Sequence, residues 1–188
     1  MKSEFREEAL KKRLSLNEGE VTSKSNLIFE NLKKLKSFES ATEILAYVDF
    51  RNEVKTREIL DFIIKSGKKL ILPMTITKTR DLKLFRINNP ISDLKSGTYG
   101  IFEPNPEICT EVDRKIVDFV IVPGVAFSEN CYRMGYGGGY YDRFLSTLRI
   151  DTVSCALAFE LQIYDDIPKN SHDAQIDFVI TENRILGS

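Results

Sequence analysis

Three short runs of consecutive apolar residues, Ile44–Val48, Leu70–Leu72 and Phe119–Val122, set the strongest limit on what this chain can fold into. A segment this short that is apolar at every position buries both faces, as a strand does inside a covered sheet. Between the first two runs lies a helical pattern, Ile59, Leu60, Phe62, Ile63 and Ile64, opened by Thr56 as its cap and ending near Gly67. Pro73 is expected to stop the second run. Leu82–Ile87 alternates like a half-exposed strand, Tyr140–Leu148 has helical spacing, and Val153–Phe159 and Phe178–Thr181 complete the strands. Apolar strands alternating with amphipathic helices imply an α/β fold. The expectation is a three-layer α/β/α single domain over residues 1–188, with a mostly parallel, Rossmann-like sheet.

An N-terminal helical segment precedes it. Residues 2–16 place Phe5, Ala9, Leu10 and Leu14 on one stripe between charges. Asn17 then reads as an N-cap with Glu20 at the capping-box position. The helix it opens carries Leu27, Ile28, Leu32 and Leu35 as its inner face. Residues 88–117, with Pro90, Gly97, Gly100, Pro104 and Pro106, hold most of the loop chemistry.

Composition narrows the function classes. In 188 residues, 42% apolar and 29% charged content suits a globular chain rather than a disordered one. Lys and Arg total 27 against 28 Asp and Glu, a net charge of −1, which argues against a nucleic-acid coat. No apolar run approaches the roughly 18 residues of a membrane span. Met1–Arg13 is densely charged and lacks the apolar centre of a signal peptide. A cytoplasmic protein is the expectation. Cys109, Cys131 and Cys155 are widely spaced with no CxxC pair, and read as buried or bystander thiols, since His172 is the sole histidine.

The most informative stretch is Arg133-Met134-Gly135-Tyr136-Gly137-Gly138-Gly139-Tyr140-Tyr141-Asp142-Arg143, between the Phe119–Val122 strand and a helix. Ligands in open α/β sheets bind beyond the carboxyl ends of strands. Four glycines in five positions leave backbone N–H groups free to form a concave anion site, with a helix N-terminus behind it. That favours polyphosphate binding over a plain turn in which the tyrosines merely pack. Arg133 and Arg143 offer charge-assisted contacts, and Tyr136, Tyr140 and Tyr141 offer flat faces to a heteroaromatic ring. Asp142 is a hard oxygen ligand suited to Mg²⁺. A bare carboxylate there would repel phosphate, which links Asp142 to a divalent cation. No Gly-Lys-Ser/Thr follows, so this is not a P-loop, and Tyr140 stands where a dinucleotide fingerprint needs its last glycine.

Arg133–Arg143 resembles the signature of the 5-formyltetrahydrofolate cyclo-ligase family, also called 5,10-methenyltetrahydrofolate synthetases. Lys2-Ser3-Glu4-Phe5-Arg6 resembles that family's Lys-x-x-x-Arg motif, and Glu53-Val54-Lys55-Thr56 its segment after the first strand. Gly100-Ile101-Phe102-Glu103-Pro104, Pro123-Gly124-Val125-Ala126-Phe127, and His172-Asp173 with Asp177 also fit, in family order along nearly the whole chain. The resemblance implies MgATP-dependent conversion of 5-formyltetrahydrofolate to 5,10-methenyltetrahydrofolate, with ADP and phosphate released. The formyl oxygen attacks the γ-phosphate, N10 attacks the activated carbon, and phosphate leaves. Such chemistry needs positioning and charge neutralisation more than a protein nucleophile.

Residue by residue, the resemblance implies that Lys2, Ser3, Glu4, Phe5 and Arg6 meet ATP, as do Arg133 through Tyr141. Val48 and Glu53 are implied folate contacts, together with Tyr136 through Tyr140. Asp142 and Asp173 are the implied magnesium ligands, with His172 their neighbour. Arg133, Tyr140 and Asp142 are the expected catalytic residues. Phe50, Tyr99 and Phe102 are candidates to wall the folate pocket. The expected partners are these small molecules alone, with no nucleic acid and no membrane, acting on a monomer or weak homodimer. Two alternatives stand beside this reading. One is a sugar-phosphate isomerase or CoA transferase on a similar scaffold, with Glu53 or Glu103 as base or acyl acceptor. The other is a folate- or nucleotide-binding protein without turnover.

Overall fold

A computed structural model describes residues 1–97, 100–170 and 173–188. Along the chain it contains helices α1 (Lys2–Leu14), α2 (Glu18–Lys33) and α3 (Lys36–Ser40), then strand β1 (Glu43–Leu45) and helix α4 (Arg57–Lys65). Strands β2 (Lys69–Ile76), β3 (Asp81–Ile87), β4 (Leu94–Ser96), β5 (Phe102–Pro104), β6 (Thr110–Val112), β7 (Phe119–Val122), β8 (Ala126–Ser128) and β9 (Arg133–Met134) follow. Helix α5 (Tyr140–Leu145) precedes β10 (Val153–Leu157), β11 (Ile163–Tyr164), β12 (Phe178–Ile180) and β13 (Ile185–Gly187).

Eight strands form the main sheet in the order β13-β12-β10-β7-β1-β2-β3-β6. Its centre is parallel, β12-β10-β7-β1-β2, and its edges are antiparallel. Counted in chain order, the five parallel strands lie 2-1-3-4-5, so the order reverses between β1 and β7. That reversal opens a crevice at the strands' carboxyl ends.

Side-chain alternation divides the core. Ile44, Leu70, Leu72, Phe119, Ile121 and Cys155 pack on one side with Ile28, Leu32, Phe38 and Ile63 of α2–α4. Leu45, Ile71, Val120, Val122 and Ala156 face the other, where Phe144 of α5 meets them. Successive strand residues point to opposite faces, so a strand apolar throughout serves both cores. A third, smaller cluster joins Ala9 of α1 to Val125, Ala126, Met134 and Ile167. No helix among the described residues is long and apolar enough to cross a membrane.

The capping box at α2 forms as the sequence predicts: Glu20 N donates to Asn17 Oδ1 and Asn17 N to Glu20 Oε2, both at 2.9 Å. Elsewhere the structure corrects the reading. Strand β2 does not stop at Pro73 but continues to Ile76, because β1 pairs only as far as Ile71, leaving the proline's missing N–H no partner to lose on that side. Thr56 does not cap α4 with its side chain; its hydroxyl donates to Asp49 Oδ1 at 3.0 Å instead. Leu14 and Leu27 are exposed. The buried stripe of α2 is Val21, Ser25, Ile28 and Leu32, and that of α1 is Ala9 and Arg13. Helix α5 ends at Leu145, short of Leu148. The antiparallel edge strand β13 carries no apolar run and escapes sequence reading. Tyr99 and His172 lie outside the described residues.

Candidate active site

The crevice between β1 and β7 is where the candidate residues meet. From β1 the chain runs through Tyr47 and Val48 to a turn at Arg51 and Asn52, both with positive φ (48° and 54°), and reaches Glu53. From β7 it passes Pro123 and Gly124, returns through the β8–β9 hairpin to Arg133, and enters the glycine loop. Gly139, at φ 70°, is the N-cap of α5.

Two hollows lie on either side of this loop. The first, about 520 Å³, is lined by Tyr47, Val48, Phe50, Phe102, Tyr140 and Tyr141, with Glu53, Glu103 and Asp142 as acidic groups against Arg51 and Arg133. The second, about 880 Å³, is lined by Lys2, Arg6, Arg143 and Arg149, together with Asp142 and Asp173. Both volumes suit a small organic ligand. Gly135, Gly139 and Asp142 border both hollows, whereas Gly138 faces only the first and Gly137 only the second. The two hollows therefore meet along the loop at Gly135, Gly139 and Asp142.

Each glycine has its own reason. Gly137, at φ 100°, also lies where a Cβ would come within 3.4 Å of the Arg6 guanidinium. Gly138 has no positive φ; its constraint is steric, since a Cβ would collide with the Tyr140 ring at 2.6 Å. At Gly135 a Cβ would meet Arg133 Nη1 at 2.7 Å.

Glu53 is buried at the first hollow, not on the surface. Its Oε1 accepts from Tyr136 Oη at 2.8 Å and its Oε2 from Phe50 N at 2.9 Å. Burial pushes its carboxyl up to about 7, against the pull of the Arg13 charge and the Tyr136 hydrogen bond. Glu103, also buried, accepts from Thr75 N at 3.0 Å and holds the wall formed by β2 and β5.

In the second hollow the acids are already paired. Arg133 is 3% exposed; its Nη2 donates to Asp142 Oδ1 at 2.7 Å and its Nη1 to the Pro123 carbonyl at 3.1 Å. Asp142 is therefore not a bare carboxylate: Arg133 neutralises it from beneath. Lys2 pairs with Asp173, whose Oδ2 also accepts from Asn170 N at 2.6 Å. Burial raises the Asp173 carboxyl, but the Lys2 bond and the Asn170 amide outweigh it and hold it below its ordinary value. Asp142 Oδ2 and Asp173 Oδ1 have no hydrogen-bond donor among the described residues. Arg6 Nε donates to the Gly135 carbonyl at 2.8 Å and leaves its other nitrogens beside Gly137.

Most predicted residues thus converge. Four do not line either hollow: Ser3 and Glu4 are exposed, Phe5 stacks edge-on against Tyr164 at 4.9 Å, and Met134 belongs to the third core cluster. Sequence reading missed Arg13, which is fully buried beneath Glu53 and Tyr136. A signal was present, since Lys2, Arg6, Ala9 and Arg13 recur at the spacing of one helix face. Among the described residues no cluster of three or more His, Cys, Asp or Glu is suited to a metal, and the cysteines are free, with Cys131 and Cys155 buried.

A doubly wound α/β fold whose glycine loop lies between a hollow lined by Lys and Arg and one walled by aromatic and acidic side chains is suited to an enzyme with two small-molecule ligands. The model of the 5-formyltetrahydrofolate cyclo-ligase family matches residues 1–182. An NMR structure of a 5,10-methenyltetrahydrofolate synthetase from Aquifex aeolicus superposes with a TM-score of 0.86 at 33% identity, covering 99% of this chain and 92% of that one. The Mus musculus 5-formyltetrahydrofolate cyclo-ligase is 27% identical over 93% of this chain and 90% of its own. A mitochondrial cyclo-ligase from Arabidopsis thaliana is 31% identical over 79% of this chain and 62% of its own. The chain belongs to the 5-formyltetrahydrofolate cyclo-ligase family. It is a ligase of folate one-carbon metabolism that converts 5-formyltetrahydrofolate to 5,10-methenyltetrahydrofolate.

Proposed function

We propose that the reaction runs at the rim of the glycine loop that the two hollows share, with ATP in the cationic hollow and the formylated pterin in the acidic, aromatic one. The observation that carries this is the shared border: Gly135, Gly139 and Asp142 line both hollows, so a formyl oxygen and a γ-phosphate can come into contact over that rim, beside the loop backbone and not through it. Lys2, Arg6 and Arg143 counter the phosphate charge, and the loop amides donate hydrogen bonds to the phosphate oxygens. Glu53 accepts from the pterin's ring N–H and amino donors. Tyr140 and Tyr141 flank the ring, and Phe50 and Phe102 close the mouth.

The formyl oxygen attacks the γ-phosphorus and ADP departs. N10 then attacks the activated carbon, N10 loses its proton, and the C–O bond breaks to release phosphate. The protein's share is in-line placement and charge neutralisation. Arg133 fixes Asp142 and orients the loop from below. The donor set fits Mg²⁺, which takes one or two carboxylates plus phosphate oxygens; the unbonded oxygens of Asp142 and Asp173 are the ones that would hold it. Bound there, Mg²⁺ neutralises charge on the transferring phosphoryl group. We further infer a cytoplasmic monomer or weak homodimer.

Formation of methenyl product, followed by its absorbance, is expected to be stoichiometric with ADP and phosphate. Product at full rate without nucleotide would remove ATP from the reaction, and no product with both substrates bound would make this a binding protein. On the ATP side, Gly137→Val should cost about 1–3 kcal/mol of stability through its backbone conformation. It should also weaken ATP binding at least about tenfold by displacing Arg6. Calorimetry showing parent-like ATP affinity would reduce the loop to a turn.

A further inference from the structure

Helix α1 carries Lys2 and Arg6 at the cationic hollow, and Arg13 on the same face reaches under the acidic one. Arg13 is fully buried, and its donors are spread over three segments. Nε bonds the Arg51 carbonyl at 3.1 Å, Nη1 bonds the Gly124 carbonyl at 3.0 Å, and Nη2 bonds the Tyr136 hydroxyl. That hydroxyl passes its own hydrogen to Glu53, whose Oε1 lies 4.0 Å from Arg13 Nη1. The turn ahead of Glu53 is held from the same side: Asn52 Nδ2 donates to the Leu16 carbonyl at 2.9 Å, beyond the end of α1. Two consecutive non-glycine residues at positive φ persist only where surrounding bonds over-determine them. A buried guanidinium with three separate acceptors supplies such bonds.

We propose that Arg13 is a positioning residue for the folate site: through Tyr136 and the Arg51 carbonyl it presents Glu53 to the pterin edge ionised and in register. This rests on the reading of Glu53 as a folate contact. The groups facing Glu53 come from four elements: Arg13 from α1, Tyr47 and Asp49 from the segment after β1, Tyr136 from the glycine loop and Tyr141 from α5. Burial and Asp49 favour the protonated carboxyl, while the Arg13 charge and the Tyr136 bond favour the ionised one. Without Arg13 the carboxyl keeps its proton to higher pH, and the pterin donors lose a charged acceptor.

The test is steady-state kinetics of Arg13→Met, Arg13→Lys and Tyr136→Phe across neutral and alkaline pH. For Arg13→Met the folate KM should rise about tenfold near neutrality, and its acid limb should move up about one pH unit, so that alkali restores binding. Saturating kcat should change far less than KM. Arg13→Lys keeps the charge but not the fork, so its limb should stay near the parent's while KM rises a few-fold. Tyr136→Phe removes both hydrogen bonds of the hydroxyl that links Arg13 to Glu53 but leaves the Arg13 charge in place, and should move the limb the same way by less, which serves even if Arg13→Met fails to fold. Acid limbs of Arg13→Met and Tyr136→Phe that superpose on the parent's would overturn the proposal, as would a KM rise equal at every pH. Glu53→Gln separates the underlying reading: its profile should be flat with a raised KM, and a parent-like KM would withdraw Glu53 from the folate site and this proposal with it.

Discussion

Glu53→Gln is expected to give a protein more stable than its parent at pH 8 and far poorer at binding folate. The unfolded carboxyl titrates at 4.5 and the folded one at about 7, so between those values the folded chain keeps a proton that the unfolded chain has released. Stability therefore falls as pH rises through that window, and above it the loss amounts to about 3 kcal/mol. Glutamine has nothing to ionise and escapes the loss. Its melting temperature should match the parent's near pH 4 and exceed it by roughly 5–10 °C at pH 8. The folate KM should meanwhile rise about 10- to 100-fold, since a charge-assisted acceptor is lost. Calorimetric melts at the two pH values decide the matter: an advantage equal at both would mean that Glu53 ionises as an ordinary surface carboxylate does.

Removing Asp142 should damage stability and turnover together. Arg133 lies 3% exposed with its Nε already lacking a partner, so Asp142→Ala leaves a buried guanidinium charge uncompensated. Breaking such a pair costs about 3 kcal/mol, and loss of charge organisation at the phosphoryl group should lower kcat about 100- to 1000-fold. The two effects separate in a double variant. Arg133→Met with Asp142→Leu removes both charges and should recover most of the stability, because an apolar pair is an adequate substitute for a buried ion pair. It should recover none of the turnover. Denaturant titrations and initial rates over a range of magnesium concentrations report both quantities. Parent-like turnover in the double variant would show that the pair only holds the loop in place.

Much of the fold was legible because its central strands are buried on both faces, and such strands declare themselves as unbroken apolar runs. Strand β13 and the continuation of β2 through Pro73 were not, since pairing at a sheet edge depends on which neighbour stops first and leaves little trace in side-chain pattern. At the site, the glycine loop was readable from motif chemistry, and Glu53 through the family resemblance alone. Arg13 was not, because a charged residue on an otherwise charged helix is read as solvated, and only the arrival of Tyr136 and the Arg51 carbonyl from distant segments makes its burial affordable. The Arg133–Asp142 pair illustrates the same limit: both residues were singled out, but their partnership is a fact of three dimensions.

On the proposed placement of the two substrates, the alternation of Gly137 and Gly138 ties their sites together: a side chain added at one flank of the loop enters one hollow and also moves the backbone that borders the other. Variants meant to alter folate preference alone then belong at the mouth, at Phe50 and Phe102, and those meant for the nucleotide at Arg143 and Arg149 on the far bank.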